Sequence, residues 1–113
     1  MAHLARLKNR AEFGRVIKRG RTVGDRNLVL FVLFNESFEQ KVGFTAQRKA
    51  GNAVKRNRIK RRLRALQQYF EKDLVPCGDI IWLGKAGVLD ARWDSLISSG
   101  RRLLTKAGCL VKA

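Results

Sequence analysis

The chain of 113 residues predicts an α+β fold: a two-layer sandwich in which a small mixed sheet carries packed helices. Three observations predict it. The apolar runs at 27–34 and 79–83 have the length and composition of buried strands. The segments 9–19, 52–71 and 90 onward carry apolar residues three and four apart, the period of amphipathic helices. Strand-like and helix-like segments follow one another as α-β-β-β-α-β-α, with helices covering one face of the sheet. An apolar content of 45% suffices for one core, and the length fits one domain over 1–113.

In order along the chain, Phe13, Val16 and Ile17 form the apolar stripe of the first helix, which Gly20 ends. Arg21–Val23 can form a short strand, and Gly24-Asp25 reads as a turn. Asn27–Phe34 is an almost continuous apolar strand. The polar, acidic stretch 35–40 suits a hairpin loop into the next strand, Lys41–Gln47. Arg48–Gly51 is a basic connection, and Asn52 is a helix N-cap. The helix it opens runs to Glu71. Pro76-Cys77-Gly78 interrupts the chain before the strand Asp79–Leu83. Trp93, Leu96, Ile97, Leu103 and Leu104 supply the apolar face of the last helix, which Gly100 weakens.

Charge narrows the function. Lys and Arg number 25 against 9 Asp and Glu, a formal net charge of +16. Such an excess repels itself in a small folded body, and a polyanion relieves the repulsion. No stretch approaches the roughly 20 apolar residues of a membrane-spanning helix, so no membrane partner is expected. The charged start, Met1 to Arg10, lacks the apolar run of a signal peptide. Cys77 and Cys109 form no CxxC pair, and His3 is the only histidine. That argues against a zinc site, which needs about four ligands, and for reduced thiols in a cytoplasmic protein. No metal site is expected on the chain.

The helix after Asn52 concentrates the charge. Lys55, Arg56, Arg58, Lys60, Arg61, Arg62 and Arg64 are all cations, and no acid appears before Glu71. At about 100° per residue, Ile59, Leu63, Leu66 and Phe70 form one stripe, the core side. Asn57, Lys60, Arg61 and Arg64 form another face, and Lys55, Arg58 and Arg62 a third. A merely solvated helix usually mixes charge signs at i, i+4, because like pairs cost a few tenths of a kcal/mol. Here Arg56–Lys60 and Lys60–Arg64 are like pairs, and the cations crowd toward the N-terminus, where the macrodipole disfavours them. Guanidinium groups pair bidentately with phosphate oxygens, so this face suits a nucleic-acid backbone. The acids are scattered along the chain and do not suggest a catalytic cluster of their own. The aromatic residues fit packing as well as stacking: Phe13 and Phe31 divide evenly between the two, and Phe44 fits packing better.

The run Asn52-Ala-Val-Lys-Arg-Asn-Arg-Ile-Lys-Arg-Arg-Leu-Arg64 resembles the signature Arg-Asn-Arg helix of the bacterial ribonuclease P protein family. The resemblance spans roughly 4–105. It includes the opening helix with Arg10 and Phe13, the Val42-Gly43-Phe44 strand leading to Lys49-Ala50-Gly51-Asn52, and the strand at Asp79-Ile80-Ile81. It implies a left-handed βαβ crossover, an exception to the usual hand. It also implies partnership with a catalytic RNA subunit and with precursor tRNA, from which the 5′ leader is removed. In such an enzyme the RNA holds the Mg²⁺ ions and performs the hydrolysis, and the protein binds no cofactor of its own and needs no further protein partner. By the same resemblance, Asn52, Lys55, Arg56, Asn57, Arg58, Lys60, Arg61 and Arg64 would contact the catalytic RNA. Arg10, Phe13, Ile17, Phe31, Phe44, Arg48 and Lys49 would hold the leader. Ile17 stands where some relatives carry an aromatic residue. The alternative is a non-catalytic RNA-binding protein of ribosomal type; an autonomous hydrolase and a DNA-packing protein are further classes.

Overall fold

The computed structural model describes residues 5–7, 10–34, 40–75 and 78–110. The elements are β1 (Ala5–Arg6), α1 (Arg10–Arg19), β2 (Arg21–Gly24), β3 (Leu28–Leu33), β4 (Lys41–Ala46), α2 (Ala53–Phe70), β5 (Asp79–Gly84) and α3 (Trp93–Lys106), with short 3-10 turns at Arg48–Ala50, Glu71–Asp73 and Ala86–Leu89. The α+β class, the mixed sheet and the order of helices and strands match the sequence reading. The two-residue β1 is additional, being too short for any periodicity to announce it.

The sheet order is β1-β4-β5-β3-β2. The hairpin expected between the strands at 27–34 and 41–47 does not form, because β5 lies between them. It pairs antiparallel with β3, Phe31 opposite Ile81, and parallel with β4, Gly43 opposite Ile81. The physical reason is burial. Ile80, Ile81 and Trp82 are all at most 1% exposed, so β5 has no solvent face and must be central. The expected loop at 35–40 lies, apart from Gln40, outside the described residues, as does most of the breaker at 76–78. Parallel neighbours need a long crossover, and the segment containing α2 supplies it.

Side-chain alternation then decides which helix covers which face. Leu28, Leu30, Val32, Ile80 and Trp82 join Ile59, Leu63, Leu66 and Phe70 of α2 and Leu96, Leu103 and Leu104 of α3 in one core. Ile81, Phe31 and Leu33 point the other way and pack with Phe13 and Val16 of α1 and with Leu7. The expectation of helices on one face therefore describes α2 and α3, while α1 covers the opposite face. Both central strands are apolar on both sides, so each face needs its own cover. Gly100 lets α3 approach closely: a Cβ there would lie 2.9 Å from Phe70 Cε2. Beneath α2, Trp82 Nε1 donates to Gln67 Oε1 at 2.8 Å, satisfying a buried indole.

A polar clasp ties the turn between β2 and β3 to α3. Asp25 Oδ1 accepts from the backbone N–H groups of Asn27 (3.0 Å) and Leu28 (2.9 Å). Its Oδ2 accepts from the Ser99 hydroxyl and from Arg102 Nη2, the latter at 3.0 Å. Lys85 Nζ donates to the Asp25 carbonyl at 3.0 Å. Burial by itself pushes the Asp25 carboxyl up, but the hydrogen bonds from Ser99, Leu28, Asn27 and Arg102 together hold it below the ordinary value of 3.8. A carboxylate depressed on folding stabilises the native state fully above its unfolded pKa, and that contribution fades as pH falls through the folded value. Replacing Asp25 by Asn is expected to cost about 2 kcal/mol at neutral pH. In urea unfolding, the gap between wild type and Asp25→Asn should shrink as pH falls below the ordinary value of 3.8. A gap that stays constant with pH would contradict a charged clasp.

Candidate nucleic-acid interface

Two conformational devices aim α2. Gly51 has φ +142°, a backbone region that essentially only glycine enters, and it separates the basic turn Arg48–Ala50 from the helix. Asn52 then caps α2 as expected, its Oδ1 accepting from Lys55 N at 3.0 Å. Ile59, Leu63, Leu66 and Phe70 are fully buried, so the helix cannot rotate without exposing them. That seating fixes the positions of the cations.

Lys55, Asn57, Arg58 and Arg61 are exposed, as is Asn52, while Arg56, Lys60 and Arg64 are half-buried. Ion pairs among the described residues join Lys41 to Glu12, Arg92 to Asp94 and Arg102 to Asp25; none of them uses a cation of α2. The Nε atoms of Arg56 and Arg64 are buried without a hydrogen-bond partner. Arg62 behaves differently from its neighbours. Its Nη1 donates to the carbonyls of Val88 and Ala91, each at 2.7 Å, and so fastens α2 to the segment entering α3. One cation of the run is thus a structural clamp, and the others are left for solvent or a ligand.

A second feature opens along the edge of β4. β1 pairs with β4 at Lys41 and Val42, and Leu7 N donates to the Val42 carbonyl at 3.1 Å. Beyond Val42 no strand among the described residues covers that edge. A cavity of about 130 Å³ lies there, lined by Leu7, Phe13, Val42, Gly43, Phe44 and Arg64. Gly43 makes it possible: a Cβ at that position would sit 2.5 Å from Phe13 Cζ and 3.1 Å from Leu7 Cδ1. The Arg64 guanidinium carbon lies 5.7 Å from the centroid of the Phe44 ring, a cation–π distance.

The residues assigned to a leader by resemblance are distributed as follows. Phe13 and Phe31 share the α1 face of the sheet in one small cluster. Arg10 and Ile17 are exposed on α1, Ile17 at 41%. Phe44 projects to the α2 face, opposite Trp82 in register, and meets Phe13 only around the rim of β4. Arg48 and Lys49 are exposed in the turn that follows β4. Arg64, assigned to the catalytic RNA, stands in the cavity with the two aromatic rings. Leu7 was not anticipated, because its place depends on the pairing of β1. Among the described residues no group of three or more His, Cys, Asp or Glu side chains is placed to hold a metal ion.

An α+β sheet with a solvent-facing arginine helix, an aromatic cavity and a net charge of +16 defines a nucleic-acid-binding protein. Comparison with known proteins specifies which. The family model for ribonuclease P matches residues 1–108. The ribonuclease P protein component of Gluconacetobacter diazotrophicus is 42% identical over 105 residues, covering 91% of this chain and 90% of that one. Among solved structures, the RNase P protein of Staphylococcus aureus superposes with TM-score 0.80 at 28% identity, covering 96% of this chain and 100% of the other. The Thermotoga maritima protein shares the fold with TM-score 0.77 at 20% identity. The chain belongs to the ribonuclease P protein family. It is thereby an RNA-binding protein of tRNA processing, a component of a ribonucleoprotein nuclease.

The division of labour within α2 is testable. Arg62→Met should lower stability by about 1–3 kcal/mol, since two part-buried carbonyls lose their donor. The salt dependence of RNA binding should not change. A shallower salt slope with unaltered stability would place Arg62 on the ligand instead.

Proposed function

We propose that α2 grips the catalytic RNA of ribonuclease P, while the α1 face and the β4 rim hold the single-stranded 5′ leader of precursor tRNA. The observation that carries this reading is the state of the α2 cations: exposed or half-buried, fixed in direction by the core, and without acidic partners among the described residues. Asn52, Lys55, Arg56, Asn57, Arg58, Lys60 and Arg61 would contact phosphates of the catalytic RNA. Such contacts release condensed counterions and so give binding a steep salt dependence.

Arg64 takes a role at the junction. Its guanidinium faces Phe44 and shares a cavity with Phe13, so it would meet the leader where the leader passes from the α1 face toward α2. Phe13, Phe31 and Phe44 offer ring faces to bases, and Arg10, Arg48 and Lys49 offer charge to phosphates; Ile17 adds apolar contact without a ring. This is the usual composition of a single-strand site, a cationic groove with aromatic platforms. Amide and guanidinium donors suit phosphate oxygens and do not suit Mg²⁺, which takes oxygen ligands. The Mg²⁺ ions of the reaction would therefore sit on the RNA, which would perform the hydrolysis that removes the leader in the cytoplasm. The protein's contribution is binding and orientation.

Three experiments test this. Added to its catalytic RNA at low Mg²⁺, the purified protein should raise the rate of precursor tRNA cleavage; no stimulation would refute the assignment. Arg58→Gln and Arg61→Gln together should reduce the salt slope of binding to that RNA by about 2. Phe13→Leu, which keeps an apolar contact over Gly43, should weaken precursor tRNA binding about tenfold while leaving mature tRNA binding unchanged. Equal weakening of both would assign Phe13 to packing alone.

A further inference from the structure

We infer that Tyr69 and Trp93, where the end of α2 meets the start of α3, form a stacking platform for an unpaired base of the catalytic RNA. The inference rests on the reading of α2 as an RNA grip and extends that site from phosphate contact to base contact.

Tyr69 lies on the sector of α2 that carries Lys55, Arg58 and Arg62. At about 100° per residue, Arg58 and Tyr69 fall within about 20° of each other, about 16 Å apart along the axis. Between them, Arg62 holds the carbonyls of Val88 and Ala91, and Trp93 opens α3 two residues later. The clamp thus brings the indole beside Tyr69. The ring centroids lie 6.3 Å apart with the planes at 88°. In such an edge-to-face pair one ring presents its edge to the other, so its own faces are not covered by the partner. Both rings reach solvent, Tyr69 at 43% exposure and Trp93 at 37%. Packing between the helices does not require them there, because α2 and α3 already meet closely at Phe70 and Gly100. Tyr and Trp left half in water are typical of surfaces that receive a ligand.

Charge selects the occupant. Arg58 stands exposed on the same sector of α2. Arg101 is exposed on α3, its guanidinium carbon 5.3 Å from the centroid of the Phe70 ring. Asp94 lies 3.9 Å from Arg92 and sits in the first turn of α3, where the macrodipole favours an acid. Glu71 and Asp73 fall in the turn beyond α2 and are half-buried. A cationic track that ends on two aromatic rings has the composition of a single-strand site. A membrane surface is a poor match, because it calls for a broad apolar face and this one offers two rings.

The two tryptophans of the chain make the test direct. Trp82 is fully buried, so quenching of emission by acrylamide reports on Trp93. Acrylamide should reach Trp93 in the free protein, and bound catalytic RNA should shield it. A fully paired RNA duplex, which offers phosphates without a free base, should bind through α2 and leave Trp93 reachable. Equal quenching with and without the catalytic RNA, or equal shielding by the duplex, overturns the inference. Trp93→Leu and Tyr69→Leu should each weaken binding of the catalytic RNA about tenfold with the salt slope unchanged, and Trp93→Phe should keep most of the affinity. Unchanged affinity in both Leu variants, or a lowered salt slope in them, overturns it as well. The grip is tested separately: Arg58→Gln and Arg61→Gln together should lower the salt slope yet leave Trp93 shielded at saturating RNA. A slope that they do not lower overturns the α2 reading, while the shielding of Trp93 still decides the platform. Should a Leu variant fail to fold by circular dichroism, the quenching of the wild-type protein decides.

Discussion

The central position of β5 is the constraint on which the rest depends. A strand with no solvent face must be flanked on both edges and covered on both sides. β3 and β4 flank it, one antiparallel and one parallel. The parallel partner obliges the chain to cross over between β4 and β5, and α2 lies on that crossover. The most cationic element is thereby pinned against the sheet through Ile59, Leu63, Leu66 and Phe70. Like-charge repulsion along α2 would disfavour the helix in isolation; tertiary burial of its apolar stripe outweighs it.

The same constraint generates the other surfaces. With both faces of β3 and β5 apolar, α1 is drawn to the side that α2 and α3 leave open. β4 is left near one margin, and among the described residues β1 pairs with it at Lys41 and Val42 only. Next to that short pairing lies the cavity where Phe13, Phe44 and Arg64 meet. Gly43 is the small-residue condition for that meeting, since any side chain there would displace the Phe13 ring. Function and fold share residues closely here, and the aromatic rings that could stack on bases also close the smaller core.

Within the cationic run, charge alone does not separate ligand contacts from structural ones. Arg62 is chemically identical to Arg61, yet it fastens α2 to the carbonyls of Val88 and Ala91, while Arg61 is exposed. Asp25 shows the converse. An acid in a very basic chain suggests no more than partial neutralisation, whereas this one organises a turn and anchors α3 to it.

The sequence by itself determined the elements that rest on local periodicity: α1, α2 with its Asn52 cap and buried stripe, the apolar strands, and a cationic face lacking acids. It also carried the family, through the Arg-Asn-Arg helix. Only the tertiary structure decided that β5 separates β3 from β4, that α1 lies on the far face, and that Arg64 joins the aromatic cavity. Apolar runs report burial but not neighbours, because strand pairing uses backbone groups that every residue carries. Helical spacing likewise reports which side of a helix is buried, without saying against which face of the sheet.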